Sequence, residues 1–214
     1  MTQAWLLLVL AVALIGANAL FVAAEFAFVT ADRPTVERAA AKGDKRAASM
    51  QAALKKLSTE LSGAQLGITV TSLLVGFIAE PSLATLLRGP IEALGLPEGS
   101  SLAVSLTISF IIATGSQMVF GELVPKNWAL AEPLRVGRAV AGANRGFTWF
   151  AGPLIRVLNG TANRIVRAMG MEPREELASA RSAQELESVA ERSAQRGVLE
   201  PRVARRLQRG GFVQ

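Results

Sequence analysis

The sequence contains no cysteine and no histidine. The first absence excludes disulfides and thiolate metal sites. The second excludes imidazole ligation and histidine acid–base catalysis. No nucleophile–base pair and no phosphate-binding glycine loop is visible, and Ser and Thr are scattered over apolar stretches, so an enzyme is not expected. Charge is missing from long runs. Residues 61–79 and 99–121 carry none, and residues 4–30 are apolar except for Asn18 and Glu25. What remains is too apolar for an ordinary soluble domain: 214 residues, 50% hydrophobic, mean hydropathy +0.34.

A bilayer takes about 20 helical residues to cross. The uncharged runs therefore predict an all-α membrane protein with three transmembrane helices: TM1 over about 4–30, TM2 over 61–79 and TM3 over 101–122. A signal peptide is a poor reading of the first run. The run is long, lacks a basic start, and has Glu25 where small residues should precede cleavage. Between TM1 and TM2, residues 31–60 hold alanines and seven basic residues (Arg33, Arg38, Lys42, Lys45, Arg46, Lys55 and Lys56). They predict two short amphipathic helices broken near Gly43, with Asp44 capping the second. Residues 80–100 contain three prolines and one basic residue, Arg88, and predict a loop with a helical turn or two. From 127 to 171, six arginines alternate with apolar residues, and the longest uncharged piece, GFTWFAGPLI, is too short to span. Helices lying in the interface, or a helical pair dipping into the bilayer, are expected there. Residues 1–171 thus form one membrane domain. Residues 172–214 are polar and read as a cytoplasmic helical segment, with a helix end at Gly197 and a new start near Pro201.

The formal net charge is +6 and the pI about 10.7. In this context the basic residues are expected to face anionic lipid, not nucleic acid. Seven basic residues on the first loop against one on the second place the first loop in the cytoplasm. The N-terminus is then outside and the C-terminal part inside. In that topology Glu25, Gln65 and Glu122 lie near the inner ends of three different helices. Asn18 and Glu25, seven apart, share one face of TM1. Gln65, Thr69, Ser72 and Gly76 form a stripe on TM2, and Gly115 and Met118 accompany Glu122 on TM3, with Thr114 close by. An intramembrane carboxylate costs about 2.5–3.5 kcal/mol at mid-bilayer and usually marks an ion or proton pathway. Glu25 has a plainer alternative, a pair with Arg33. Without His or Cys the available ligands are oxygens, which suit a hard cation such as Mg2+ or Ca2+. Within GELVPK, residues 121–126, Pro125 lacks an N–H and frees carbonyls near Gly121. Gly121, Glu122 and Pro125 could then offer a carboxylate and bare carbonyls to one ion.

The stretches NALFVAAEFAFV, AAAKGDKRA, SGAQLGITVTSLLVGFIAEP and FGELVPKNWAL resemble the transmembrane domain of the CorC/CNNM family, over roughly residues 5–170. GELVPK is the most specific element and QLGIT the next. ESVAERSAQRGVLEP is similar to the linker helices that precede that family's pair of nucleotide-binding CBS domains, which this sequence lacks. The resemblance implies a homodimer of three-helix domains with juxtamembrane helices, in the plasma membrane. It implies magnesium transport, often as Na+-coupled export, with Mg2+ the bound or transported ion. It also implies a site built from TM1, a TM2 polar residue and the Glu of the motif. Carried onto this sequence, that Glu is Glu122, beside Gly121 and Pro125, with Glu25 and Asn18 on TM1 and Gln65 or Thr69 assisting from TM2. Two features depart from the pattern. Ala23 and Ala24 stand where serines are expected, and QLGIT replaces an asparagine-rich version. Both bring the sequence closer to the hemolysin-like branch, some of whose members are linked to polyamine export. A polyamine exporter and a non-transporting membrane scaffold are therefore the competing functions.

Overall fold

A computed structural model describes residues 2–93 and 98–171, which are almost entirely helical, with no strand among them. Helix α1 spans Thr2–Thr30, α2 Arg33–Ala41, α3 Lys45–Leu54 and α4 Leu57–Glu92. Helix α5 spans Glu98–Ser116 and runs through a π-helical stretch, Gln117–Leu123, into α6, Val124–Ala131. Helix α7 spans Pro133–Ala168. Residues 1–165 form one compact unit. Of the second unit, 166–214, the structure describes residues 166–171, so the expected helices at Gly197 and Pro201 lie outside the described residues.

Three helical runs are long and apolar enough to cross a bilayer: Thr2–Thr30, Leu57–Glu92 and Gly99–Ala131. This is a membrane protein. Between its spans the apolar surface packs through small residues. Ala11, Val75, Ala79 and Ala113 form one buried cluster from α1, α4 and α5. Ala23, Ala27, Ala129 and Val136 form another where α1 meets α6 and α7. Small side chains let backbones approach where lipid offers no hydrophobic drive to associate. Gly67 is one such approach between α1 and α4, because a Cβ there would lie 2.6 Å from the Phe21 ring.

The loop between the first two spans folds as local chemistry dictates. Asp32 caps α2 by accepting from the Thr35 N–H (3.1 Å) and hydroxyl. Gly43 takes a positive φ of 88° between the two helices, which glycine adopts without strain. Asp44 then caps α3, accepting from the N–H groups of Arg46 and Ala47 at 2.9 and 3.1 Å.

Two segments differ from the sequence-based reading. The loop expected over 80–100 is helical as far as Glu92, through Pro81 and Pro90. Each proline removes one rung of the ladder, to the carbonyls of Phe77 and Leu86. The long helix carries on across it, with Ser82 and Thr85 folding their hydroxyls back onto the Ile78 (2.7 Å) and Pro81 (2.8 Å) carbonyls. The stretch after TM3 is one 36-residue helix, α7, instead of several helices or a pair. Its buried residues Val136, Gly137, Ala141, Asn144, Thr148, Ala151 and Ile155 recur at spacings of three and four. Trp149 and Phe150 point outward, 84% and 78% exposed. This one-sided pattern belongs to an amphipathic helix.

Candidate ion-binding site

The π-helical stretch is the irregular backbone at the centre of the bundle. Its turn widens by one residue, so the Val124 N–H bonds the Val119 carbonyl five residues back. Pro125 has no N–H to give the Gly121 carbonyl four residues before it. Asn18 takes that role from another helix: its Nδ2 donates to the Gly121 carbonyl at 2.9 Å. Gly121 is thus freed as its proline neighbour predicts, but its carbonyl is partnered, not bare.

Asn18 is fully buried and links all three spans. Its Oδ1 accepts from Thr71 Oγ1 at 2.7 Å and Ser72 Oγ at 3.0 Å on α4. The Thr71 hydroxyl is equally close to the Gly67 carbonyl, 2.7 Å, so its one proton is shared between two acceptors. Gln117 Nε2 donates to Ser72 Oγ at 3.2 Å, while Gln117 Oε1 is buried with no hydrogen-bond partner. The Gln117 side chain lies against Gly121, where an added Cβ would come within 3.0 Å of it. The centre is therefore a neutral cluster of amide, hydroxyl and carbonyl oxygens, with one oxygen unused.

The remaining candidate residues are placed differently. Glu122, Gln65 and Thr69 are on the exposed surface of the single chain, and the Thr69 hydroxyl donates to the Gln65 carbonyl at 2.8 Å. Depth also separates them. The Asn18 bonds fix Asn18, Thr71 and Gly121 at one level. Glu25 lies seven residues beyond Asn18, and Gln65 six before Thr71, each about 10 Å nearer the end of the bundle that carries α2 and α3, at about 1.5 Å per residue. Glu122 therefore sits a layer above Glu25 and Gln65, and the three carboxylate and amide groups do not share one depth.

Thr71 and Gln117 are the residues that sequence reasoning missed. A signal was present in a row spaced by four: Ser101, Ser105, Ser109, Ala113, Gln117, Gly121, Pro125 and Ala129. All of them are buried except Gln117, which is half-buried. Such a row is one packing ridge of a helix, and Gln117 is its one long polar member.

The family model for the cyclin M transmembrane N-terminal domain matches residues 9–202. The chain belongs to this CNNM family. A Mycobacterium tuberculosis relative, UPF0053 protein MT1890, is 44% identical over 192 residues, covering 90% of this chain and 42% of that protein. Uncharacterized protein Rv1841c of the same species is 38% identical over 200 residues, 94% of this chain and 57% of that protein. UPF0053 protein YhdT of Bacillus subtilis is 35% identical over 194 residues, 91% and 42% respectively. The chain spans about half the length of the curated relatives it matches. Membership agrees with the three spans: the matched family is one of transmembrane domains.

In this CNNM domain Ala23 packs beside Ala27 against Ala129 and Val136, and Ala24 is fully buried. The two alanines where serines were expected serve close helix approach. Glu25, half-buried on the next turn, is engaged within the fold. Phe26 stacks under the Lys126 ammonium at 4.9 Å, which ties the inner end of α1 to the residue that closes GELVPK.

Proposed function

We propose that this domain exports Mg2+ across the plasma membrane, coupled to Na+ entry, as a homodimer with its N-terminus outside. The observation that carries the reading is the Asn18 centre. Three spans meet there on oxygen donors only, beside a π-helical break, and Gln117 Oε1 is left buried without a partner. π-helical turns inside membrane helices concentrate at functional sites. Mg2+ sheds water reluctantly and is usually held by one or two carboxylates with several waters retained. A neutral layer with Glu122 beside it suits a partly hydrated ion better than an all-protein cage would.

The exposed polar residues support the dimer. Glu122, Gln65 and Thr69 would otherwise face lipid, and a carboxylate at membrane depth costs about 2.5–3.5 kcal/mol. A second copy or a water-filled cleft removes that cost. The seven basic residues of 31–60 against one in 80–100 support the orientation. The case for a larger organic cation is weakened by Ala23 and Ala24, which are packed and open no extra room. The test is Mg2+ efflux from proteoliposomes. Glu122→Gln should lower the rate at least tenfold while the protein still inserts and folds. An unchanged rate rejects Glu122, and spermidine outcompeting Mg2+ in the same assay rejects the ion.

A further inference from the structure

A second polar pocket lies where the start of α4 meets α7, eleven residues and so about 16 Å along α4 from the Asn18 centre. Glu60, 5% exposed, is its carboxylate. Asn144, fully buried, donates from Nδ2 to Glu60 Oε2 at 2.8 Å and approaches the Glu60 carbonyl at 3.3 Å. Its other amide atom, Oδ1, is buried without a partner. Thr148 lies beside the carboxylate. Its Oγ1 is buried and forms no hydrogen bond of ordinary geometry. Gly63 leaves room for that hydroxyl: a Cβ there would stand 2.1 Å from Thr148 Oγ1.

These atoms share one deficit. A carboxylate removed from water needs counter-charge, and an ion pair is the usual supply. Among the described residues, no Lys or Arg nitrogen forms an ion pair with Glu60. Arg145 acts on it only through space, its guanidinium donating to Ser49 Oγ at 3.1 Å. The two unused atoms beside the carboxylate, an amide oxygen and a hydroxyl, are hard oxygen donors. Water would satisfy their lone pairs but would leave the charge in place. A bound cation does both.

We propose that Glu60, Asn144 Oδ1 and Thr148 Oγ1 form a binding site for a monovalent hard cation, Na+. The donor set carries a single negative charge, which one monovalent ion neutralises. A divalent ion would exceed that charge; Arg145 and Lys56 act on the carboxylate only from a distance, without pairing with it. Because Glu60 belongs to α4 and Asn144 and Thr148 to α7, the ion clamps the amphipathic helix to the inner end of the second span. The ion is the one proposed above to drive export, but the site uses none of the residues of the Asn18 centre, and binding here is tested without any transport.

The test is thermal unfolding of the purified full chain in detergent, titrated with NaCl against choline chloride at constant ionic strength. Na+ should raise the wild-type Tm along a saturable curve. Glu60→Gln should abolish the rise. Thr148→Val keeps the shape and removes the hydroxyl, and should move the midpoint by about tenfold or more. Asn18→Ala should leave the midpoint where it is, which separates this pocket from the central one. If Glu60→Gln does not fold, Thr148→Val carries the test. The proposal fails if NaCl and choline chloride give the same wild-type Tm, as a water-filled or protonated pocket would. It also fails if both pocket variants keep the wild-type midpoint, if Asn18→Ala abolishes the response, or if MgCl2 produces a rise that Glu60→Gln removes.

Discussion

The membrane bundle of this domain and the collar of helices at one end of it are held together in different ways. In the bundle, α1, α4 and the α5–α6 run meet through alanines, glycines and serines, and their one buried polar knot is neutral. In the collar, α3 also packs on α7, Met50 against Gly137, but charge is added to that contact: Asp44 caps α3 and accepts from Arg138 Nη1 at 2.7 Å. The bundle has no water to screen a misplaced charge, so shape and neutral hydrogen bonds carry specificity. The collar borders water, where charged caps and pairs are cheap to form and easy to weaken.

That contrast can be broken from either side. The largest effect is expected in the bundle. Gly67→Ala drives a methyl into the Phe21 ring, which stacks in turn on Phe147 at 4.7 Å between centroids. Overpacking of this kind costs about 1–3 kcal/mol. Thermal unfolding in detergent should show that loss undiminished between low and high salt. A loss that vanished at high salt would mean the bundle is held electrostatically after all. The smallest effect is expected in the collar. The Ala47 N–H, with the Arg138 guanidinium, holds the Asp44 carboxyl below the usual carboxylate range. A depressed native pKa gives stability that is present above the unfolded pKa, about 3.9. That stability is lost as pH falls through the lower native value. Asp44→Asn keeps a capping side chain but removes the charge. It should remove a small stabilisation that is fully present at neutral pH, so that the variant lies slightly below wild type there. It should also flatten the acid side of the profile, the two proteins converging below about pH 3. A profile identical to wild type would show that the Asp44–Arg138 pair contributes nothing.

The same division explains what could be read from the sequence. The three spans, the Gly43 break and the Asp44 cap were legible because each depends on a few neighbouring residues. The helix through Pro81 and Pro90 was not, because a proline reads locally as a break and only packing along the rest of the helix outweighs the one rung each removes. The candidate site was legible in part. Asn18 and Gly121 do meet, and Pro125 marks the broken ladder. The facing of TM3 was not legible. Spacing puts Gly115 and Met118 on the Glu122 side, and all three are exposed, Met118 by 54%. The row through Gln117 faces inward instead, which only the contacts with α1 and α4 decide. Depth failed for a related reason: only the Asn18 contacts set how the spans slide past one another.

The central claim is that the neutral Asn18 centre is where the transported ion is held. Its most direct test is equilibrium Mg2+ binding to the purified full chain by titration calorimetry, wild type against Gln117→Leu. That substitution removes the one unused oxygen of the centre and leaves every carboxylate in place. The account predicts binding weakened by about tenfold or more in a protein whose Tm stays close to wild type. Wild-type affinity in a folded Gln117→Leu protein would contradict it.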